Sequence, residues 1–351
     1  MAIKASYIRR ELQFKKPSRT SRATLHAHTA FYIFLKEEDK TGIGEASPLK
    51  GLSIDDNSEF ESVLKEFCDQ LSQGRRIKDI DLESFPAMRF GFETAERSLR
   101  SLRPYYLYDT PFTQGKGIAI NGLVWMDDKE KMLLEARSKW EQGYQVLKFK
   151  VGALDFDEEC RMLETVRNWH GGQGIEIRLD ANGAFSEDDV FEKLKELSRF
   201  RIHSLEQPVR AGQYEFMHEV CVKSKIDIAL DEELIGVQGA KNQLNMLKQI
   251  KPVYLILKPT LLGGIQACDQ WIKWAQQLGM GWWATSALES NIGLNAIAQW
   301  VSTYPLNLPQ GLGTGGLFVN NINSSLNIQQ GKLFWGLETQ WDLPEMIPPH
   351  E

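Results

Sequence analysis

The sequence has few cysteines and no long apolar run. Its four cysteines, Cys68, Cys160, Cys221 and Cys268, form no CxxC pair and no zinc-ligand spacing. In a chain of this size, scattered cysteines indicate reduced thiols rather than a disulfide framework. The sequence contains no stretch of about 18 apolar residues that could span a membrane. Its N-terminus also has no apolar segment typical of a secretory signal, so we expect a cytoplasmic protein.

An excess of basic residues is also absent. The 351 residues include 41 lysines and arginines against 47 aspartates and glutamates, which gives a formal charge of −6 at pH 7. Sequence-independent nucleic-acid binding requires clustered positive charge, so we expect no nucleic-acid partner. Apolar residues make up 42% and charged residues 25%. This composition is typical of a globular protein and excludes disorder or coiled coil as a description of the whole chain.

The N-terminal part of the chain predicts a mixed α+β unit. Pro86 falls in the first turn of a predicted helix, a position that proline favours. Pro104 and the polar stretch 109–116 mark a boundary after this unit. The alternating and helical spacings of apolar residues predict these elements: strands over 5–14, 24–36 and 41–46, and helices over 57–73 and 86–102.

From residue 117 onward, short apolar runs alternate with amphipathic stretches. The predicted strands are 117–122, 146–151, 175–181, 202–207, 226–232, 253–258, 281–286 and 307–312. They recur about every 27 residues, and eight β-α units of this length are what a (β/α)8 barrel requires. A doubly wound sheet would also alternate strand and helix, but eight evenly spaced units favour closure.

We therefore predict an α/β protein with a (β/α)8-type barrel as its catalytic domain. The barrel is expected to span 111–324, and an α+β capping domain is expected to span 1–110. The C-terminal stretch over about 325–351 is expected to return and join the capping domain.

Two lysines are placed unusually in the second predicted barrel strand. Side chains alternate between the two faces of a strand, so Leu147, Phe149 and Val151 should face the helices while Lys148 and Lys150 face the interior. A solvated edge strand would also carry lysines, but this strand lies inside the repeat and its other face is apolar. Because lysine is rarely buried without a partner, a functional position is favoured.

Acidic residues end the next three predicted strands. Asp180, Glu206 and Asp231 should converge at the rim of the barrel, where catalytic groups of such barrels lie. Three carboxylates in a partly desolvated cleft repel each other unless some are protonated or a cation binds them. Oxygen ligands suit Mg²⁺ or Mn²⁺ rather than zinc. The pattern predicts a Mg²⁺ site, with Mn²⁺ as an alternative.

Lys258 ends the sixth predicted strand and should face Lys148 and Lys150 across the barrel. A metal between lysines can support removal of a proton next to a carboxylate, because the metal holds the enediolate while an amine accepts the proton. A lysine base at neutral pH requires a pKa about 3 units below its ordinary value of about 10.4. A small carboxylate is therefore the expected substrate.

This set of residues resembles the signature of the enolase superfamily, in its muconate-lactonizing subgroup. The motifs that carry the resemblance are Lys148-x-Lys150, Asp180, Glu206, Asp231-Glu232 and Lys258. Lysine bases working with Mg²⁺ are a general device of that superfamily. The resemblance implies that Lys150 takes the α-proton, that Lys258 stabilises the enediolate and that Lys148 tunes Lys150 and contacts the substrate carboxylate. It also implies that the three strand-end acids ligate Mg²⁺.

Two further stretches resemble the family of o-succinylbenzoate synthases of menaquinone biosynthesis. They are 285–293, which reads TSALESNIG, and 311–315, which reads GLGTG. The resemblance implies a lyase that removes water in a syn elimination from a cyclohexadiene carboxylate with a succinyl arm. It places the second substrate carboxylate near the loop of Ser286, where backbone N–H groups at a helix start suit an anion. The predicted substrate-binding residues are Ser286, Glu289, Gly311, Gly313, Ser21 and Arg22.

Loops near 18–22 and 48–51 should close over any substrate from the cap.

Other functions remain open at this stage. Two opposed lysines would equally suit an N-acylamino acid or dipeptide epimerase. Dipeptide epimerases commonly carry Asp-x-Asp after the eighth strand, which 311–315 does not. Muconate cycloisomerase fits the scaffold, whereas a Schiff-base aldolase or a non-catalytic barrel would not need three lysines with three carboxylates. The oligomeric state is not predicted.

Overall fold

In the computed structural model, the described residues are 3–19, 24–103, 105–169, 174–336 and 341–342. The N-terminal unit is a three-stranded antiparallel sheet with two helices, close to the prediction. Its elements are β1 Lys4–Arg19, β2 Thr24–Glu37, β3 Lys40–Ala46, α1 Phe60–Ser72 and α2 Pro86–Arg100.

The central strand β2 is buried on both faces. Ile33 and Leu35 pack with the apolar residues of α1 and α2. Tyr32 and Phe34 point the other way, into a cluster that includes Leu288 of the C-terminal part. Because neighbouring side chains of a strand alternate in direction, one strand joins the helices of the cap to the rest of the molecule.

Glycine allows β3 and α2 to approach closely. A Cβ atom at Gly44 would lie 2.0 Å from the carbonyl oxygen of Gly91, and one at Gly42 would lie 2.3 Å from that of Ala95. Real side chains do not make such contacts, so the spacing between this strand and this helix requires glycine at both positions.

The remainder of the chain alternates short strands with helices. Strands β5 to β11 form one parallel sheet in which the spatial order follows the sequence. This order, with a helix outside each crossover, confirms the predicted barrel-type α/β class. The elements are β4 Ile118–Ala119, β5 Gly122–Val124, α3 Lys129–Glu141, β6 Val146–Lys150, α4 Phe156–Asn168, β7 Glu176–Asp180, α5 Val190–Leu197, β8 Ser204–Glu206, α6 Tyr214–Lys223, β9 Asp227–Leu230, α7 Ala240–Ile250, β10 Tyr254–Leu257, α8 Pro259–Leu262, α9 Ile265–Leu278, β11 Gly281–Ala284, α10 Asn291–Val301, β12 Leu326–Gln329 and β13 Lys332–Trp335.

The eighth predicted strand is reduced to two residues that connect both edges of the curled sheet. Asn121 N–H, directly before β5, donates to Gln310 O at 2.9 Å, and Gly311 N–H donates to Ala284 O at 2.8 Å. Pro309, directly before them, has no N–H to donate, which limits the pairing to this short segment. The ring is therefore joined by isolated bridges rather than by a full strand.

The first predicted barrel strand, 117–122, is wrong in its position. The structure divides it at Asn121: β4 pairs antiparallel with β13, and only β5 pairs with β6 in the parallel sheet. The apolar run covered both pieces, so hydrophobicity alone did not reveal the change of partner.

The C-terminal segment contacts both units of the chain. Its strands β12 and β13 form a hairpin whose Leu333 and Trp335 belong to the barrel core. Trp341 does pack with cap residues, including Phe14, and stacks on Tyr105. Residues 337–340 and 343–351 lie outside the described residues. Within the described ranges, none of the helices has the length and apolar character needed to cross a membrane.

Candidate active site

The lysines of β6 lie at the C-terminal mouth of the barrel. Leu147 and Phe149 are fully buried in the core between sheet and helices. Lys148 and Lys150, on the other face, line a cavity of about 760 Å³. The alternation expected from the sequence therefore holds along this strand.

Both units of the chain contribute to this cavity. Lys16 of β1 and Leu49 and Lys50 of the loop after β3 line it from the cap. Lys150 and Lys258 line it from the barrel. The loop expected to close over the site from 48–51 thus reaches the cavity.

Lys148 and Lys150 contact the carboxylates at the ends of the next two strands. The Lys148 ammonium lies 2.8 Å from Asp180 Oδ2 and 2.6 Å from Glu206 Oε2. Lys150 Nζ lies 2.6 Å from the same Asp180 oxygen. Sheet register explains the cluster, because Asp180 pairs with Lys150 on one side and with Glu206 on the other.

A second ion pair stands across the mouth. Lys258, just after β10, contacts Asp231 Oδ2, and both side chains are largely buried. In the ring formed by β5 to β11 and the residues around Gln310, β10 lies four positions from β6. Lys258 and Lys150 therefore approach the cavity from opposite sides.

Burial and neighbouring charges together shift the pKa values of these groups. Burial and the Asp180 carboxylate raise the pKa of Glu206 to about 8. Burial alone would raise the pKa of Asp180, but Lys148 and Lys150 hold it well below its usual value. Burial would lower the pKa of Lys258, but Asp231 and Glu206 raise it. The carboxylates repel one another and need positive charge to compensate them. The lysine ammonium groups supply part of that charge.

Sequence reasoning did not single out Asn182. Its backbone has φ 45°, in the left-handed region that asparagine tolerates better than most residues. Its Oδ1 accepts a hydrogen bond from Lys150 Nζ at 2.7 Å, and its Nδ2 donates to Glu232 Oε1 at 2.9 Å. An asparagine followed by Gly183, two residues after a strand-end aspartate, was the available signal for such a turn.

The metal prediction can be compared with the donor atoms. Among the described residues, no group of three or more histidine, cysteine, aspartate or glutamate side chains is arranged to hold a metal ion as it stands. Lysine ammonium groups contact Asp180, Glu206 and Asp231 instead. Within the same part of the chain, Glu206 Oε1 is buried without a hydrogen-bond partner. This free oxygen and the all-carboxylate donor set fit Mg²⁺ or Mn²⁺ chemically.

Three of the predicted substrate-binding residues, Ser286, Gly311 and Gly313, line the cavity. Ser286 N–H donates to Gly311 O at 3.0 Å. Ser21 and Arg22 lie outside the described residues.

Glu289 differs from its predicted place. It is fully buried behind the cavity wall, not on it. Its carboxylate accepts hydrogen bonds from Thr260 Oγ1, Ser286 Oγ and Ala287 N–H, the last at 2.8 Å. These partners turn the side chain away from the cavity, so Glu289 supports the loop that carries Ser286.

Comparison with known proteins identifies relatives over nearly the whole chain. The family described as Enolase C-terminal domain-like matches residues 131–331. The o-succinylbenzoate synthase of Desulfotalea psychrophila is 40% identical over an alignment that covers 94% of this chain and 98% of that protein.

Solved structures agree with the fold. The crystal structure of MenC from Desulfotalea psychrophila has a TM-score of 0.85 and 38% identity, covering 95% of this chain and 100% of that one. The dipeptide epimerase from Enterococcus faecalis, complexed with Mg and L-Leu-L-Tyr, has a TM-score of 0.80 and covers 96% of this chain and 98% of its own. At 18% identity, the epimerase shares the fold alone.

Proposed function

The chain belongs to the Enolase C-terminal domain-like family and, within it, to the o-succinylbenzoate synthases, and from this membership we propose that it is a lyase that forms o-succinylbenzoate. One observation carries the mechanism: lysines from opposite sides of a barrel mouth line one cavity, and each contacts a strand-end carboxylate. The proposal includes a cytoplasmic role in menaquinone biosynthesis. It also includes a division into a cap, 1–110, and a barrel, 111–324.

In the proposed reaction, Lys150 removes and returns one proton. The neutral amine takes the proton from the carbon next to the substrate carboxylate. The C–O bond of the neighbouring hydroxyl then breaks, and the Lys150 ammonium gives its proton to the departing oxygen, which leaves as water. Because one side chain serves both steps, the hydrogen and the hydroxyl leave from the same face, as in a syn elimination.

Lys258 and Lys148 supply fixed positive charge in this proposal. Lys258 faces the reacting carbon from the other side and stabilises the enediolate electrostatically. Lys148, between Asp180 and Glu206, contacts the substrate carboxylate and keeps a positive charge near Lys150. The second carboxylate is bound near Ser286, where backbone groups of Gly311 and Gly313 also reach the cavity.

A divalent cation completes the proposed site. Asp180, Glu206 and Asp231 would hold Mg²⁺, or Mn²⁺ in its place, and Glu206 Oε1 has no other hydrogen-bond partner among the described residues. When bound, the cation supplies Lewis-acid stabilisation of the carboxylate as it gains charge. The Mg in the distant epimerase structure supports this assignment.

The test is an assay in which the protein converts the cyclohexadiene substrate and the ultraviolet absorbance of the aromatic product is measured over time. We expect product only when Mg²⁺ or Mn²⁺ is present and none in excess EDTA. Equal rates with and without chelator would remove the metal from the proposal. No product under any condition would remove the lyase function.

An epimerase of N-acylamino acids is the second candidate. The opposed lysines, Lys150 and Lys258, favour it, since one can remove the α-proton and the other can deliver a proton to the opposite face. Residues 311–315 contain no carboxylate to bind a free ammonium group, which disfavours dipeptides. Inversion with deuterium incorporation at the α-carbon, in the absence of lyase activity, would favour this candidate.

A further inference from the structure

Glu45 is a buried carboxylate that the proposed reaction does not use. It lies in β3 of the cap and has no exposed surface. Its oxygens accept hydrogen bonds from the backbone N–H groups of Ser290 and Gly293, each at 2.8 Å, and from the hydroxyls of Ser290 and Ser47. A buried carboxylate needs several such donors to offset its loss of hydration.

The donors of the barrel lie at the beginning of α10. Negative charge is favoured at a helix N-terminus, where the first N–H groups have no partner within the helix. Ser290 is the N-cap of α10, and its own side chain also accepts from Ile292 N–H. Glu45 therefore binds the cap to one particular turn of the barrel.

That turn is continuous with the wall of the cavity. Ser290 directly follows Glu289, whose carboxylate holds the Ser286 hydroxyl and the Ala287 N–H. Ser286, Ala287 and Leu288 all line the cavity. In the loop 286–290, contacts thus run from the cap strand β3 to Ser290 and Glu289, and from Glu289 to Ser286 and Ala287 at the cavity wall.

Two features show that this loop has little freedom. Leu288 has φ 73°, a left-handed conformation that a leucine adopts only when its surroundings hold it there. A Cβ atom at Gly293 would lie 2.7 Å from Glu289 Cβ and 3.1 Å from Glu45 Oε2. The side chains of Glu45 and Glu289 therefore pack against the same glycine.

We propose that Glu45 is a positioning residue through which the cap fixes the loop 286–290 and so sets the affinity of the site for its substrate. This inference rests on the proposed function for the identity of the substrate. The expected movement of the loop does not depend on that function. Removing the carboxylate should leave Lys150 and Lys258 in place while the loop moves. The expected consequence is weaker substrate binding with an almost unchanged rate of the chemical step.

Glu93 provides a matched control. It also belongs to the cap, in α2, and its carboxylate accepts from Ile265 N–H at 2.6 Å and Gln266 N–H at 3.0 Å, at the beginning of α9. Neither of these partners lines the cavity. Glu93→Ala should therefore weaken the contact between cap and barrel in the same way as Glu45→Ala, but without reaching the loop.

Hydrogen exchange of the full-length protein tests the structural effect without substrate. We expect Glu45→Ala to speed amide exchange in a peptide covering 285–293, and Glu93→Ala to leave that peptide unchanged. Glu45→Gln keeps an acceptor oxygen at the same position and should give intermediate exchange. Equal exchange in the 285–293 peptide for Glu45→Ala, Glu93→Ala and the parent would overturn the proposal.

Steady-state kinetics tests the functional effect. For Glu45→Ala we expect KM for the cyclohexadiene dicarboxylate to rise by about tenfold while kcat changes by less than about twofold. Glu93→Ala should leave KM unchanged, and Glu45→Gln should recover most of the affinity. Equal KM values for the two alanine variants would reject the positioning role. Loss of all activity in the parent would instead reject the proposed function and leave the exchange result to decide the structural part.

Discussion

At the residue scale, Lys150 connects the carboxylate cluster to the cavity. Its ammonium contacts Asp180 and the Asn182 side chain while the residue lines the cavity wall. We expect Lys150→Ala to lower kcat by about 10³-fold, within the range lost when a general base is removed. Lys50→Ala changes another cavity-lining lysine and should retain kcat. Near-normal turnover by Lys150→Ala, measured as aromatic product, would mean that the base is another residue.

The proposed metal ligands can be tested without turnover. Mg²⁺ should raise the melting temperature of the parent, by an amount equivalent to about 2.7 kcal/mol when its concentration is about 100 times Kd. Asp180→Asn and Glu206→Gln should abolish the shift. Glu176→Gln, at the opposite end of the same strand β7, should retain it. A Mg²⁺-dependent shift that persists in both ligand variants would place the ion elsewhere.

The sequence predicted the lysines and acids of the site because strand geometry determines their direction. Alternation along β6 was sufficient for Lys148 and Lys150, and position at a strand end was sufficient for Asp180. Glu289 could not be placed in this way. Its direction depends on the turn at Leu288 and on Thr260, a partner 29 residues away, and neither is visible in local spacing.

At the scale of elements, the carboxylate of Glu93 at the start of α9 predicts a pH effect. Burial raises the pKa of Glu93 from its ordinary 4.5 to about 7. Between these values the folded protein binds more protons than the unfolded chain, so this residue's contribution to stability decreases as pH rises from about 4.5 to 7.

Glu93→Gln should therefore lose stability relative to the parent at pH 4.5 and less, or none, at pH 7. The difference between the two pH values should be at most about 3 kcal/mol, measured by urea unfolding of both proteins. A difference between parent and variant that is constant over this range would show that Glu93 titrates near its ordinary value.

The packing of β3 on α2 gives a second prediction at this scale. Gly44→Ala should destabilise the protein by about 3 kcal/mol, because the new methyl group would meet the backbone of Gly91. Gly316→Ala is the control, since a Cβ there would meet no atom within 4 Å. Urea unfolding of both variants measures the difference. Equal stabilities would show that the sheet and helix can separate at little cost.

Element boundaries were predicted well in the cap and less well where the chain changes partners. The strand predicted over 24–36 corresponds to β2, Thr24–Glu37, whereas the burial of both its faces was not predicted. The run 117–122 failed because its two halves pair with different sheets. The strand predicted over 307–312 is reduced to two isolated bridges at Gln310 and Gly311, because Pro309 has no N–H group to extend the pairing.

At the scale of the whole molecule, the proposed site exists only where cap and barrel meet. The barrel supplies the proposed catalytic lysines and metal ligands, whereas the cap supplies Lys16, Leu49 and Lys50 to the cavity and Glu45 and Glu93 to two barrel helices. The eightfold spacing predicted the barrel, because a regular repeat is visible in one dimension. The pairing of β13 with β4 was not predicted, because it joins positions more than 200 residues apart.

The two-residue junction at Gln310 and Gly311 has a consequence for synthesis of the protein. Until the ribosome has released these residues, the growing polypeptide carries β5 and β11 with no neighbour on their outer sides. Unpaired strands of this kind readily recruit strands of other molecules. Between the synthesis of β11 and that of Gln310, the nascent protein therefore has two unpaired strand edges, and we expect chaperones that cover such edges to raise its yield in a cell.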